Sequence, residues 1–268
     1  MDDLAPPPVL DAVDDGLALV GDGPRRWIAH PDKRYWNAIG PWGGWTAALL
    51  LKAVLAEPDH AGSPVAMTIN LMGGLDDSPL TIETRAVRQG RSMEFWTSEL
   101  VQNGQPVAMA MITLGARRDT VRMQDAVMPQ APAPETIPTR PAGPIPFLSK
   151  FDLKPVEGMV FPIEGDNTRS VAWIHGQRTL DAVLLTALSD VFPPRILHRS
   201  KEMRPVSTVT MSIYFHGTPE ELAEVGDDWI LSDANARRFE AGFFDQHGGL
   251  WSRDGKLLAT TEQLCWFK

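Results

Sequence analysis

Residues 254–267 read DGKLLATTEQLCWF, and residues 103–115 read NGQPVAMAMITLG. Each stretch opens on a dipeptide, Asp254-Gly255 or Asn103-Gly104, that signals a type I′ hairpin turn, because that turn needs φ > 0 at both central residues. A strand follows each turn. One face of the earlier strand carries Ala108, Ala110, Ile112 and Leu114, and the matching face of the later one carries Ala259, Thr261, Gln263 and Cys265. Small residues on such a face let a helix approach the sheet. The two stretches therefore read as the last elements of one unit written twice. They differ at one telling position, where the first copy has Ile112 and the second has Gln263. An amide left unpaired on the helix side costs about 1–3 kcal/mol, so Gln263 needs a partner. Its neighbour Glu262 points the other way and is expected in solvent.

The flanking sequence repeats in the same order. RRWIAH (25–30) and SVAWIHG (170–176) are short strands with a Trp-Ile pair. GGWTAALLLKAVLA (43–56) and LDAVLLTALSDVF (180–192) are apolar around most of a helical circumference, which predicts buried helices. Pro193 and Pro194 stop the second. VAMTINLMG (65–73) and STVTMSIYFHG (207–217) are strands, and each is followed by a pair of strands and then the opening stretch. PQAPAPETIPTRPAGPIP (129–146) is too rich in proline for helix or sheet interior and divides the halves. The expected organisation is a first unit over 1–118, a Pro-rich linker over 119–165 and a second unit over 166–268. The fold class is α+β, with two antiparallel sheets each wrapped around one long buried helix.

Composition sets limits. The 268 residues are 43% hydrophobic and 22% charged, enough to bury about 70–75% of the unfolded surface without disulfide or metal. The net charge of −9 argues against nucleic acid as a partner. No apolar run is long enough for a membrane span. The single cysteine, Cys265, and an acidic, Pro-rich start with no leader pattern point to the cytoplasm. The six histidines show no metal-ligand spacing, and no G-x-S-x-G elbow is present. No cofactor is expected.

The order of these segments resembles the acyl-CoA thioesterase II family, whose members have a tandem hotdog fold. The resemblance is carried by GPWGGWTAALLLKAV (40–54), VRQGRSMEFWTSELVQNGQPVAMAMITLGA (87–116), LTALSDVFPP (185–194), VSTVTMSIYFHG (206–217) and DGKLLATTEQL (254–264). It implies hydrolysis of an acyl-CoA by a water held between Asp, Thr and Gln of the second unit. By segment these fall on Asp190, Thr208 and Gln263. Strand alternation alone puts Thr210 on the same face as Thr208. A carboxylate can accept the water's proton, and Thr and Gln can orient the water without ionising. An Asp at the end of its own helix opposes that helix's dipole, an odd choice for structure alone.

Gly43 and Gly44 open the first helix. They serve equally as bare N–H donors for a thioester oxygen or as room for close packing. Trp42, Trp45, Trp96 and Met72 read as core before channel lining. PPRILHRSKEMR (193–204) offers Arg195 and Arg199 to CoA phosphates, or is a solvated loop. Self-association into a homo-oligomer is implied by the resemblance. Two other readings remain open: a hotdog enoyl-CoA hydratase or dehydratase, for which only His198 lies near Asp190 in sequence, and a non-catalytic acyl-CoA-binding protein.

Overall fold

The computed structural model describes residues 15–139, 143–158, 167–200, 202 and 204–268. The acidic N-terminal stretch through residue 14, part of the Pro-rich linker, and Lys201 lie outside the described residues.

The first unit holds β1 (Val20–Gly21), β2 (Arg26–Ala29), α1 (Gly43–Leu55), β3 (Ser63–Leu71), β4 (Leu80–Gln89), β5 (Met93–Gln102) and β6 (Gln105–Gly115). Ala and Leu give α1 its helix propensity, and the helix is buried on nearly all sides. It lies against β4, β5 and β6, on the face that carries Ala108, Ala110, Ile112 and Leu114, all buried. The second unit holds β7 (Asp152–Glu157), β8 (Ser170–His175), α2 (Ala182–Leu188), β9 (Val206–Phe215), α3 (Pro219–Val225), β10 (Ile230–Asn235), β11 (Phe239–Glu240), β12 (Phe243–Trp251) and β13 (Leu257–Phe267). The second helix is shorter than its apolar run. Asp181 caps its start by accepting from the Leu184 N–H at 2.7 Å, and it ends in tight turns at Ser189 and Asp190.

All strand pairs are antiparallel, in the order β1-β2-β4-β5-β6-β3-β9-β13-β12-β10-β8-β7, with β11 beside β12. The order is a mirror about the β3–β9 junction: β3, β6, β5, β4 and β2 correspond to β9, β13, β12, β10 and β8. Duplication is therefore visible in topology as well as in sequence. The two expected sheets are halves of one continuous sheet, joined where Met67 faces Ile213 and Ile69 faces Met211.

Register settles the comparison between copies. Met67 pairs with Ile112 in the first unit, and Met211 pairs with Gln263 in the second. On the far side, Trp96 pairs with Ile112 and Gln246 pairs with Gln263. Two apolar neighbours in the first copy thus correspond to two glutamines in the second.

The hairpin turns are less alike than their dipeptides. Asn103 and Gly104 both have positive φ, 53° and 74°, as a type I′ turn requires. In the second copy only Gly255 is left-handed, at 91°. The Ser252 N–H meets the Lys256 carbonyl at 2.9 Å and closes a three-residue loop instead.

The expected linker contains structure of its own. β7 pairs with β8 at the sheet edge, and Phe147 stacks on Trp42 at 4.4 Å. Among the described residues, no helix is long and apolar enough to cross a membrane.

Candidate active site

The second unit brings Asp190, Thr208 and Gln263 into one hydrogen-bonded group. Gln263 sits on the inner face of β13 and donates from Nε2 to Asp190 Oδ1 at 3.0 Å and to the Ser189 carbonyl at 3.3 Å. Its Oε1 accepts from the Thr208 hydroxyl at 3.2 Å. The buried amide therefore has the partners its position demands. Glu262, on the outer face, pairs with Arg237 at 2.9 Å.

Thr208 reaches this group through a break in strand alternation. Thr210 stands opposite Leu264, and Thr208 stands opposite Cys265, so Val209 is the extra residue of a β-bulge. Leu264 is 41% exposed and Cys265 3%, so the bulge turns Thr208 inward and leaves Thr210 on the outer face. The expectation that the two threonines share a face is corrected by this one residue.

Asp190 opposes the end of its own helix, as read from sequence, but its carboxyl faces the start of another. The Gly44 N–H, in the first turn of α1, donates to the carboxyl. Trp42, just before α1, donates from Nε1 to the Asp190 backbone carbonyl at 2.7 Å. The N-terminal end of α1 favours negative charge there. Burial nevertheless dominates and pushes the Asp190 carboxyl up to about 7, against the pull of the Gln263, Gly44 and Trp42 donors. A carboxylate that titrates near neutrality is suited to take a proton and return it. Cys265 lies beside the group, but burial pushes its thiol up to about 12, so it stays protonated and is no nucleophile.

The two glycines divide the roles that sequence left joined. A Cβ on Gly43 would sit 2.8 Å from Asp190 Oδ2, so the bare Cα lets the carboxyl lie close against the start of α1. A Cβ on Gly44 would sit 2.4 Å from the Ala187 carbonyl and 2.5 Å from the Trp42 ring, so this glycine lets α1 and α2 touch. Trp42, Trp45 and Trp96 are core residues, while Met72 is half exposed.

Arg195 is placed otherwise than expected. It is wholly buried, and its donors are taken by Pro193, Gln246, Thr168, Ser170 and Ala234. It presents no charge to a phosphate. Arg199 lies on an open cleft of about 770 Å³ that Arg169, Arg237 and Arg238 also line. These three are each paired with a carboxylate. Gln246 was not singled out from sequence, although alternation along FFDQHGGLWS puts it on the same face as buried Phe244, directly across from Gln263. It donates from Nε2 to Gln263 Oε1 at 3.3 Å.

Comparison with known families decides the affiliation. Residues 33–115 match the acyl-CoA thioesterase N-terminal domain, and residues 127–267 match the acyl-CoA thioesterase C-terminal domain. The chain belongs to the acyl-CoA thioesterase family. Among solved structures, a conserved hotdog protein of unknown function from Alicyclobacillus acidocaldarius is 36% identical, with TM-score 0.92 over 96% of this chain and 98% of its own. A putative thioesterase II from Thermobifida fusca shares the fold at 19% identity, with TM-score 0.83 and the same coverage. So does an acyl-CoA thioesterase II from Mycobacterium marinum, at 19% identity and TM-score 0.76, also over 96% and 98% of the two chains. No match is found among curated proteins. Family membership carries thioester hydrolysis as the class of activity, within a double hotdog frame.

Proposed function

We propose that this thioesterase hydrolyses an acyl-CoA to a free acid and CoA with a water held by Asp190, Thr208 and Gln263. The observation that carries the reading is the hydrogen-bonded group itself: an aspartate poised near neutral pH, tied to Gln263, which is tied in turn to Thr208. Thr208 gives its hydroxyl hydrogen to Gln263, so its lone pairs are left to accept from a water. The water sits between the Thr208 hydroxyl and the Asp190 carboxyl. Asp190 removes its proton as the oxygen attacks the thioester carbonyl carbon. Gly43, at the first turn of α1, supplies an N–H to the oxygen that becomes negative. The C–S bond then breaks, and the proton passes from Asp190 to the departing CoA sulfur. No covalent intermediate is needed, which agrees with the protonated state of Cys265.

Hydratase chemistry finds no support in the site. His198 holds the Gly158 carbonyl at 2.8 Å, and burial lowers it to about 4, so it is neutral. Among the described residues, the groups that hold the Asp190 carboxyl down against burial are Gln263, Gly44 and Trp42, none of them histidine.

The direct test is release of free thiol from acyl-CoAs running from acetyl to palmitoyl. Turnover of at least one is expected, and inertness towards all of them would overturn the reading. The phosphates of CoA are assigned to the arginine-lined cleft rather than to Arg195. Arg199→Glu is expected to raise KM for acyl-CoA about tenfold, a change worth about 1.4 kcal/mol, with little change in kcat. The corresponding acyl-pantetheine lacks those phosphates and should show no such change. An equal rise in KM for both substrates would remove Arg199 from phosphate binding.

A further inference from the structure

The buried cation behind the site has no counter-charge of its own. Among the described residues, no carboxylate comes within ion-pair distance of Arg195, although the side chain is wholly buried. Its Nη1 donates to Ser170 Oγ at 2.8 Å, to the Thr168 carbonyl at 3.0 Å and to the Ala234 carbonyl at 3.2 Å. Its Nε donates to the Pro193 carbonyl at 2.9 Å and to Gln246 Oε1 at 3.1 Å, and its Nη2 also meets the Pro193 carbonyl.

The contact with Gln246 has a consequence two residues away. A guanidinium has only donors, so the Gln246 atom that faces it must be the amide oxygen. That places Gln246 Nε2 on the other side, where it donates to Gln263 Oε1 at 3.3 Å. Gln263 must then present its own N–H group to Asp190 Oδ1, at 3.0 Å. The Ser189 carbonyl, which can only accept, takes a second bond from Gln263 Nε2 at 3.3 Å and favours the same orientation, and the Thr208 hydroxyl fits it by donating to the Gln263 oxygen. A chain of three links, each with one permitted direction, runs from a fixed cation to the carboxyl.

The orientation matters because an amide has two ends. With its N–H towards Asp190, Gln263 stabilises the ionised carboxylate. Turned over, it would set an oxygen against the carboxyl and stabilise the protonated acid instead. A free glutamine side chain can choose, and this one cannot. The first copy supplies an independent contrast. There the same cross-strand pair is Trp96 and Ile112, both buried and apolar. The pair is polar only in the copy that carries Asp190.

We propose that Arg195 and Gln246 are positioning residues that lock the Gln263 amide with its N–H on Asp190 and so keep that carboxyl in its proton-accepting form. The proposal rests on the reading of Asp190 as the base. The groups that face Asp190 are Gln263 and Cys265 from β13 and Trp42 and Gly44 at the start of α1. Of these only Cys265 titrates, and it is neutral throughout the working range, so a change in Asp190 ionisation reports on the amide chain.

Two variants of Gln246 break the chain in different ways. Gln246→Glu keeps an acceptor for Arg195 but has no N–H for Gln263. Gln246→Met fills the volume and carries no charge, so a shift common to both belongs to the lost donor. Two readouts apply: the midpoint of Asp190 in a carbon-13 NMR titration, assigned by its loss in Asp190→Asn, and the acid limb of the kcat/KM profile. Both are expected to move up by about one pH unit in each variant, the scale of one charge-assisted hydrogen bond. Activity at pH 6 should fall about tenfold with KM little changed, and should recover to about half by pH 8, where Arg195, which burial lowers to about 9, is still charged. Unmoved midpoints in folded variants overturn the proposal. If both variants unfold, the wild type decides. The Gln246 and Gln263 side-chain N–H groups should exchange with D2O far more slowly than those of exposed glutamines, and fast exchange overturns it. The NMR midpoint does not depend on turnover, so a wild type that titrates as expected but hydrolyses nothing defeats the thioesterase reading alone.

Discussion

Asp190→Asn is expected to lower kcat by about a hundredfold to ten-thousandfold, the usual span for removing a general base, with KM held within about threefold. The substitution is nearly isosteric. An asparagine oxygen can still accept from Gln263, as Asp190 Oδ1 does at 3.0 Å. What is lost is the capacity to take a proton from the attacking water. Thr208 remains to hold that water, so some activity should survive above the uncatalysed rate. Thiol release at pH 8 measures the loss. A variant that keeps more than about a tenth of wild-type kcat would remove Asp190 from the role of base, since even modest base catalysis is worth more than that.

With Asp190 as the base, the pH behaviour follows from its carboxyl. The carboxyl is raised by burial from an ordinary value of 3.8 to about 7. The base must be ionised to act, so kcat/KM of the wild type should fall about tenfold per pH unit below about 7. Stability runs the other way. Between pH 3.8 and about 7 the folded state holds a proton that the unfolded state has released. Stability is therefore full below the unfolded value and declines as pH rises through the folded one. Asp190→Asn has no such proton to lose. Its melting temperature should match the wild type near pH 4 and exceed it at pH 8. A functional residue that weakens the fold at the pH where it works is a common exchange at active sites.

The parts of this arrangement that were legible in the sequence are those set by local rules. Turn chemistry at Asn103-Gly104 and Asp254-Gly255, together with strand alternation, located the repeated unit. Alternation also put Gln263 on the helix side, where it needed a partner. The parts that were not legible depend on distant segments. The bulge at Val209 has no marker in STVTMSIYFHG, and it alone decides which threonine faces the site. Arg195 lies in a run of charges that reads as solvated. Its burial comes from acceptors on Thr168, Ser170, Ala234 and Gln246, which the fold brings together from across the second unit. The dipole argument at Asp190 reached only its own helix, because the helix its carboxyl faces starts 147 positions earlier, at Gly43, in the other copy. Gln246 alone left a trace that alternation could have caught, a polar residue directly opposite Gln263 on a face otherwise buried.

Gly44→Ala is expected to lower the melting temperature by about 5–10 °C, on the basis of about 2–3 kcal/mol of overpacking in a chain of this size. The new Cβ would lie 2.4 Å from the Ala187 carbonyl and 2.5 Å from the Trp42 ring. Neither neighbour can yield cheaply. The carbonyl belongs to the backbone of α2, and the indole is stacked on Phe147 and hydrogen-bonded to the Asp190 carbonyl. The two helices must part, and the donors at the start of α1 withdraw from Asp190 with them. Gly43→Ala gives the control. Its Cβ would meet Asp190 Oδ2 at 2.8 Å and the tip of Leu71 at 3.1 Å, both ends of side chains that can turn aside. Stability should change little there, while activity falls because the carboxyl is displaced. Thermal melts and thiol release on both variants separate the roles. If Gly44→Ala melts with the wild type, the contact between α1 and α2 is looser than its geometry states. If both glycines affect stability alike, Gly43 serves packing and not the placing of the carboxyl.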